Sequence, residues 1–372
     1  MPHVKKQMIS FFLTTKCNLN CIYCYNKEER KKIREKTLPL EIAKAGIDYF
    51  FENNCSRHIR FYGPGEPTQE FGLMKEITSY AKSVDLHVTV EIQTNGVFSK
   101  TVREWMLRNA NIIWMSFDGP PDIQNFNRPI GGEHPSAPII EDNVKWLLKN
   151  KGNQHLMVGA RVTMTDKNIS RQREMVDYFN SLGIKHIWTN PLFPSVGKIP
   201  ICNDLEKLNK HSFDMDSYLD YYIDAYHYAK EKNIFYGSFL TCNFDGEANV
   251  HCRSCTPVPH LTPDGYVSAC DMVVLGENAY HMDCFIYGKW NQDSKKFDFN
   301  TEKIAALRQR TSDNLPHCKD CPAKLHCGGY CLGEVVNETG NLNGQKPIAC
   351  KAIRRLIEEI GIVDKPYEYL HP

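Results

Sequence analysis

Six short runs rich in β-branched and aromatic residues lie at 9–13, 59–62, 88–94, 112–117, 157–163 and 186–189. Between and after them come helical patterns at 39–53, 71–84, 102–109, 141–150 and 170–182. This alternation restricts the fold more than any other feature of the chain. Strands that each lead into a helix lie parallel in one sheet, with the helices packed outside. Six such repeats are too few to close an eight-stranded barrel. The expectation is therefore an α/β fold: an open, partial (β/α)6 barrel of TIM-like construction. Functional residues in such sheets gather at the C-terminal strand ends. Pro39 suits a first helical turn, with Thr37 expected as its cap.

The pattern breaks in a Pro-rich stretch at 191–200. A Tyr-rich helix is expected at 216–232, acting as a bridge. Beyond about residue 240 the composition changes: Gly-rich turns replace long apolar runs, and eleven of the fifteen cysteines fall after residue 200. A region so rich in loops needs staples to fold, and metal clusters supply them. The expected division is a partial barrel over 1–200, a helical bridge over 201–248 and a small cysteine-rich domain over 249–372.

Several classes of function are excluded or disfavoured. A net charge of +1 over 372 residues gives no global field for nucleic acid or an anionic membrane. The basic stretch 27–36 also carries Glu28, Glu29 and Glu35, so it reads as a solvated helix face, with a docking patch for an acidic peptide as the alternative. No run of 18 apolar residues exists, and the N-terminus lacks a signal-peptide pattern, so a cytoplasmic protein is expected. An odd number of cysteines without an export signal points to metal or cluster ligation, not to disulfides.

The segment Cys17-Asn-Leu-Asn-Cys21-Ile-Tyr-Cys24 directly follows the first strand. Three thiolates at x3 and x2 spacing can hold three corners of one 4Fe–4S cube, leaving the fourth iron open to chemistry. A structural zinc site would want a fourth ligand, and His3 and Cys55 are poorly placed to be one.

In this position the triplet resembles that of the radical S-adenosylmethionine (SAM) superfamily. The resemblance implies that S-adenosylmethionine chelates the open iron and is cleaved to a 5′-deoxyadenosyl radical, which abstracts a hydrogen atom from the substrate. Tyr23 matches the family's aromatic position near the adenine. Phe61-Tyr-Gly-Pro-Gly-Glu-Pro67 resembles its Gly-Gly-Glu-Pro strand end, with Pro64 in place of the first Gly of the pair. Proline keeps the carbonyl that such a site uses. Gly63, Gly65 and Glu66 are thus expected to meet the cofactor's ammonium group. Gln93 and Asn95, in Gln93-Thr-Asn-Gly96, resemble the segment that meets the ribose, and Ser116 and Asp118 resemble the family's fourth strand end. Arg128 and Arg161 are each candidates to bind a carboxylate, Arg161 as a further cofactor contact.

The later cysteines resemble the superfamily's SPASM extension, which carries two auxiliary 4Fe–4S clusters: Cys255, Gly265-x4-Cys270, Cys318-x2-Cys321-x5-Cys327-x3-Cys331, and Cys350. The resemblance implies one cluster on Cys252, Cys255, Cys270 and Cys331, with Cys242 the alternative to Cys252. It implies a second on Cys318, Cys321, Cys327 and Cys350. Cys55, Cys202, Cys242 and Cys284 are otherwise read as inert thiols or, for one near the radical, a hydrogen-atom donor. Cys270-Asp-Met-Val-Val-Leu275 is similar to a segment of anaerobic sulfatase-maturing enzymes, which implies Asp271 as a catalytic base. His251 and His326 flank ligands and are read as surface or supporting groups.

The expected protein is thus a radical SAM/SPASM enzyme that crosslinks, oxidises or epimerises a peptide or protein side chain. A small-molecule dehydrogenase and an iron–sulfur electron carrier are the alternatives. A flavodoxin- or ferredoxin-type reductant is the implied electron source. With sixteen residues before Cys17 no leader-binding domain is expected there, so a separate recognition protein is a further candidate partner.

Overall fold

The computed structural model describes residues 7–24, 26–27, 34–132, 134–152, 155–192, 213–277 and 279–363. Most of the basic stretch, the Pro-rich loop and Cys202 lie outside these residues. The first strands and helices are β1 (Ile9–Phe12), α1 (Leu40–Asn53), β2 (His58–Tyr62), α2 (Phe71–Val84), β3 (Thr89–Thr94) and α3 (Lys100–Asn109). They continue through β4 (Ile112–Ser116), α4 (Pro121–Asn127), α5 (Ala137–Asn150), β5 (Met157–Thr163), α6 (Gln172–Ser181) and β6 (His186–Asn190). All six strands pair in parallel with their sequence neighbours, as the alternation requires. Thr37 does not cap α1: Pro39 occupies that position without a side-chain bond, and the Thr37 hydroxyl donates to Glu70 at 3.1 Å.

Two faces of the strands do different work. Phe11, Phe61, Ile92, Met115, Ala160 and Ile187 point outward into the main core beneath the helices. Each such large side chain contributes about 1.5–3 kcal/mol on burial. The alternate residues face inward. Ile112, Trp114, Met157, Trp188 and Cys242 form an apolar plug there. Its indoles fit only because glycines face them across the ladder, where Trp114 pairs with Gly159 and Trp188 with Gly237. A Cβ at Gly159 would stand 2.5 Å from the Trp114 ring, and one at Gly237 2.6 Å from Trp188. Apart from Phe12, most of the remaining inward positions are polar, Arg60, Glu91, Gln93, Ser116 and Arg161 among them, and these build the site.

The sheet goes further than six strands. Helix α7 (Met215–Glu231) buries Tyr218, Leu219, Tyr222, Ala225 and Ala229, and is capped by Asp214, which accepts from the Ser217 amide at 2.9 Å. It leads to a seventh parallel strand, β7 (Phe235–Ser238), beside β6. The Tyr218 hydroxyl ties the two together through Thr189 at 2.8 Å and Ser238 at 2.6 Å. The chain then crosses to the opposite edge. There β8 (His260–Leu261) pairs in parallel with β1, followed by antiparallel β9 (Tyr266–Ser268), β10 (Ile286–Asn291) and β11 (Lys296–Phe299). The strand order is β11-β10-β9-β8-β1-β2-β3-β4-β5-β6-β7, an open sheet.

The cysteine-rich region is less loop-like than its composition suggests. Besides these strands it holds α8 (Thr301–Gln309), α9 (Lys324–Cys327), α10 (Leu332–Thr339) and α11 (Pro347–Ile360). Helix α11 starts on a proline and buries Ala349, Ala352, Ile353 and Leu356. It packs against α7. Among the described residues no helix is long and apolar enough to cross a membrane.

Candidate active site

Beyond β1 the chain turns into the cysteine loop, which is held from both sides. The Gly65 and Glu66 amides donate to the carbonyls of Thr14 at 3.0 Å and Lys16 at 2.7 Å. Gly65 is required here, since a Cβ would fall 2.0 Å from the Lys16 carbonyl oxygen. From the other side, the Ile22 amide reaches the Asn127 carbonyl at 3.0 Å. Cys17, Cys21 and Cys24 come together at the mouth of a cavity of about 230 Å³. Burial pushes the Cys21 thiol up to about 12, against the pull of Arg128, and the neighbouring Cys24 and Cys17 push it the same way. A thiol held up in this way ionises only against added positive charge, which iron would provide.

Arg128 supplies some of that charge. Its guanidinium lies 3.9 Å from the Cys21 sulfur and 5.3 Å from the Tyr23 ring centre, with Nε donating to Asp118 at 3.2 Å. Asp118 is fully buried and accepts from the Tyr23 hydroxyl at 2.5 Å, Asn127 at 3.2 Å and the Thr163 amide at 3.0 Å. It does not line the cavity. The expected cofactor contact at this position is therefore a brace that fixes the cysteine loop to α4 and β5.

Glu66 is 2% exposed and lines the cavity. It accepts from the Thr68 hydroxyl at 2.8 Å, the Thr94 hydroxyl at 2.7 Å and the Asn95 amide at 2.7 Å. Burial raises its carboxyl above the ordinary range, and these bonds offset part of the rise. No cation pairs with it among the described residues. A fixed carboxylate of this kind suits an ammonium ligand. Gly63, Gly65, Gln93, Asn95, Ser116 and Tyr23 line the same cavity, so the structure gathers the sequence-expected cofactor residues around the cysteine loop, Asp118 excepted. Asn95 also donates to Asn18 at 2.7 Å.

The opposite wall comes from the C-terminal half: Cys252, Cys270 and Cys331 line the same cavity. Charges on Cys252 and Cys270 act on Cys255 and on Cys331, which places the four thiols in one group. Cys242 lies elsewhere, its sulfur 3.4 Å from the His251 ring. Cys252, not Cys242, therefore completes this group. Cys318, Cys321, Cys327 and Cys350 surround a second, smaller hollow of about 30 Å³. Arg354 approaches the Cys321 sulfur at 4.0 Å, and the Gln345 amide the Cys350 sulfur at 3.7 Å. All described cysteines are free thiols. Among the described residues no three His, Cys, Asp or Glu close on a single metal ion. Of the remaining cysteines Cys55 is exposed and Cys284 partly buried.

Asp271 lines the cavity beside Cys270, and Arg60 holds it in an ion pair. His260 lies 3.6 Å away. Burial alone would raise the Asp271 carboxyl, but Arg60, His260 and Arg253 outweigh it and hold it well below the usual range. Arg60, Arg253 and His260 escaped the sequence reading. The alternation His58, Arg60, Tyr62 within β2 was the available signal, since charged residues at inward positions of a buried strand need a polar interior. His251 is buried, its Nδ1 3.0 Å from the Cys327 carbonyl, so it supports a ligand segment and is not a surface group.

Comparison with known proteins agrees with this geometry. Residues 11–187 match the model of the radical SAM superfamily. The chain is similar to the radical SAM cyclopropyl synthase TigE of Paramaledivibacter caminithermalis, 24% identical over 378 residues that cover 94% of this chain and 74% of that protein. It is similar to the cysteine-type anaerobic sulfatase-maturating enzyme of Clostridium perfringens, 22% identical over 334 residues, 85% of each chain. Its fold is that of native anSMEcpe with bound AdoMet and Cp18Cys peptide, with a TM-score of 0.73 at 16% identity over 95% of this chain and 97% of that one. Two walls of cysteines around one cavity, at the C-terminal ends of a partial barrel, thus belong to an enzyme of the radical SAM superfamily.

Proposed function

We propose that this enzyme abstracts a hydrogen atom from a peptide or protein side chain held in the cavity between its two cysteine walls. The observation that carries the reading is that Cys17, Cys21 and Cys24 line one cavity together with Cys252, Cys270 and Cys331. Cys17, Cys21 and Cys24 would hold a cluster that, with S-adenosylmethionine bound, would supply the hydrogen-abstracting chemistry. Glu66 would take the cofactor's ammonium group, and Gly63 and Gly65 would let the backbone come close to it. Gln93, Asn95 and Ser116 offer hydrogen bonds to its polar groups, while the Tyr23 ring forms the adjoining wall. Arg128 balances the charge on Cys21, and Asp118 keeps Arg128 and Tyr23 in place. Auxiliary clusters on the Cys252 and Cys318 groups would accept an electron from an oxidised substrate. Asp271 stands on that side as an ionised carboxylate, and it would take the accompanying proton once its ion pair with Arg60 loosens. The sulfatase-maturating relative and the peptide named with the anSMEcpe structure support a peptide substrate.

The test is made with reconstituted protein, S-adenosylmethionine and dithionite. Wild type releases 5′-deoxyadenosine, and Glu66→Gln needs at least about tenfold more cofactor for the same rate, as loss of a buried charge pair requires. Peptides translated from short reading frames beside the gene are then followed by mass spectrometry. Loss of two hydrogens marks oxidation or crosslinking, and uptake of solvent deuterium marks epimerisation. Cofactor cleavage with every peptide unchanged, but with a small alcohol oxidised, would sink the peptide reading.

A further inference from the structure

The buried cations around the main cavity are accounted for. Arg128 pairs with Asp118 and Arg60 with Asp271, while Arg161 lines the cavity among the cofactor contacts and donates to Gln93 at 2.7 Å. Arg310, the residue after α8, is different. It is 1% exposed, and among the described residues no carboxylate lies in ion-pair range of it. Its Nε donates to the Leu342 carbonyl at 2.6 Å and its Nη2 to the Gly329 carbonyl at 2.8 Å. Its Nη1 is buried and has no hydrogen-bond acceptor. A guanidinium held only by neutral carbonyls, with one nitrogen idle, is costly to bury unless an anion lies nearby.

The position of Arg310 says which anion that is. Cys327 lines the smaller hollow with Cys318, Cys321 and Cys350, and Cys331 lines the main cavity with Cys252 and Cys270. Gly328, Gly329 and Tyr330 are all that separates Cys327 from Cys331. Both glycines take a left-handed φ, at 60° and 84°. A Cβ on Gly328 would fall 2.2 Å from the carbonyl carbon of Val250, two residues before Cys252. One on Gly329 would fall 2.2 Å from Arg310 Nη1. The idle nitrogen thus lies against the bare main chain that runs from one auxiliary thiol group to the other. Gly329 itself lines the smaller hollow. Burial raises the Cys255 and Cys318 thiols, one from each group, and the Arg310 charge opposes the rise in both. A mere tie between backbone segments could be made by a neutral donor. A cube on four thiolates is negative in either oxidation state, and it gives this cation a counterpart.

We infer that Arg310 is the shared counter-cation of the two auxiliary cysteine groups and holds up the reduction potentials of the cubes on both. This rests on the reading that those eight thiols hold clusters, and it deepens that reading. Reduction adds negative charge to a cube, and a fixed cation nearby favours the reduced state. Both cubes are thereby made better acceptors for an electron that leaves the substrate.

The test is a potentiometric titration followed by electron paramagnetic resonance, made on full-length, iron-loaded protein without substrate. The signal that changes on adding S-adenosylmethionine marks the cube on Cys17, Cys21 and Cys24 and serves as the internal reference. In Arg310→Gln, which keeps a donor but loses the charge, both auxiliary midpoints should fall by at least a tenfold change in the one-electron equilibrium, about 59 mV, with the reference unmoved. Arg310→Lys, which keeps the charge but loses the fork, should shift them by less than about threefold. Unmoved auxiliary midpoints in an iron-replete Gln variant overturn the inference, and Arg310 is then a tie between backbone segments. A fall in one auxiliary midpoint alone also overturns it. Should the Gln variant lose its iron, the Lys variant carries the test. Full iron and near-native midpoints in that variant support the charge, whereas lost iron or tenfold-lower midpoints show that the fork's geometry matters and overturn the inference. Wild type that saturates near about four irons per chain would instead sink the cluster reading on which the inference rests.

Discussion

His260 is buried with its ring 5.5 Å from that of Phe12, and burial holds its imidazole down to about 3 despite Asp271 nearby. It is therefore neutral at pH 7. An unfolded histidine titrates near 6.5, so below that pH the unfolded chain binds a proton that the folded chain refuses. The contribution to stability is complete above about pH 6.5 and is lost as pH falls toward 3. Denaturant titrations at pH 7 and pH 5 should show wild type losing stability on acidification, with His260→Gln losing less; equal slopes would contradict the assignment. Glu66 was legible from sequence because its Gly-Pro-Gly-Glu-Pro setting is a local motif. Arg60, Arg253 and His260 were not, because each gains its meaning from Asp271, a partner distant in sequence. Asp118 was legible as a strand-end residue, but its role was not, since Tyr23 and Thr163, two of its four side-chain partners, lie far from it in sequence.

At the scale of elements, the six early strands were readable because each carries outward apolar residues in alternation, interrupted in β6 by Thr189. The later strands were not. β8 spans two residues, the register of β10 shifts at a bulge, and β11 alternates over only four residues, Lys296 to Phe299. Strand β7 was hidden differently. It is four residues long and contains Gly237, which reads as a turn until Trp188 is placed opposite it. The same reasoning makes Gly159 a sensitive position. Gly159→Ala pushes a methyl group into the Trp114 ring, between two paired strands where neither backbone can give way. A loss of about 1–3 kcal/mol is expected from such overpacking, measured by chemical denaturation. A Trp114→Leu background should relieve much of it.

For the whole molecule, the resemblance implied three groups of thiols, and the structure lines one cavity with Cys17, Cys21, Cys24, Cys252, Cys270 and Cys331 and another with Cys318, Cys321, Cys327 and Cys350. What spacing could not foretell is that two of them share a cavity while the third has a hollow of its own. Three cubes correspond to about twelve irons per chain. Replacing Cys17, Cys21 and Cys24 by alanine should leave about eight. Iron and sulfide analysis decides this, and a triple variant with iron near zero would mean that the C-terminal thiols hold no clusters. Chelation should also lower the denaturation midpoint, since the C-terminal half then loses its staples.

Strand β8 adds one more consequence. It lies beside β1, with Ser10 opposite His260 and the Ser10 amide bonded to the Pro259 carbonyl at 2.9 Å. The cysteine loop after β1 and the segment joining Cys255 to Cys270 are therefore tied to adjacent rungs of one main-chain ladder. The gap between them is a property of peptide geometry, indifferent to the identity of the side chains that fill it. Substitutions can recut the cavity for a new guest while the span across it stays constant, much as a vice keeps its frame when its jaws are changed.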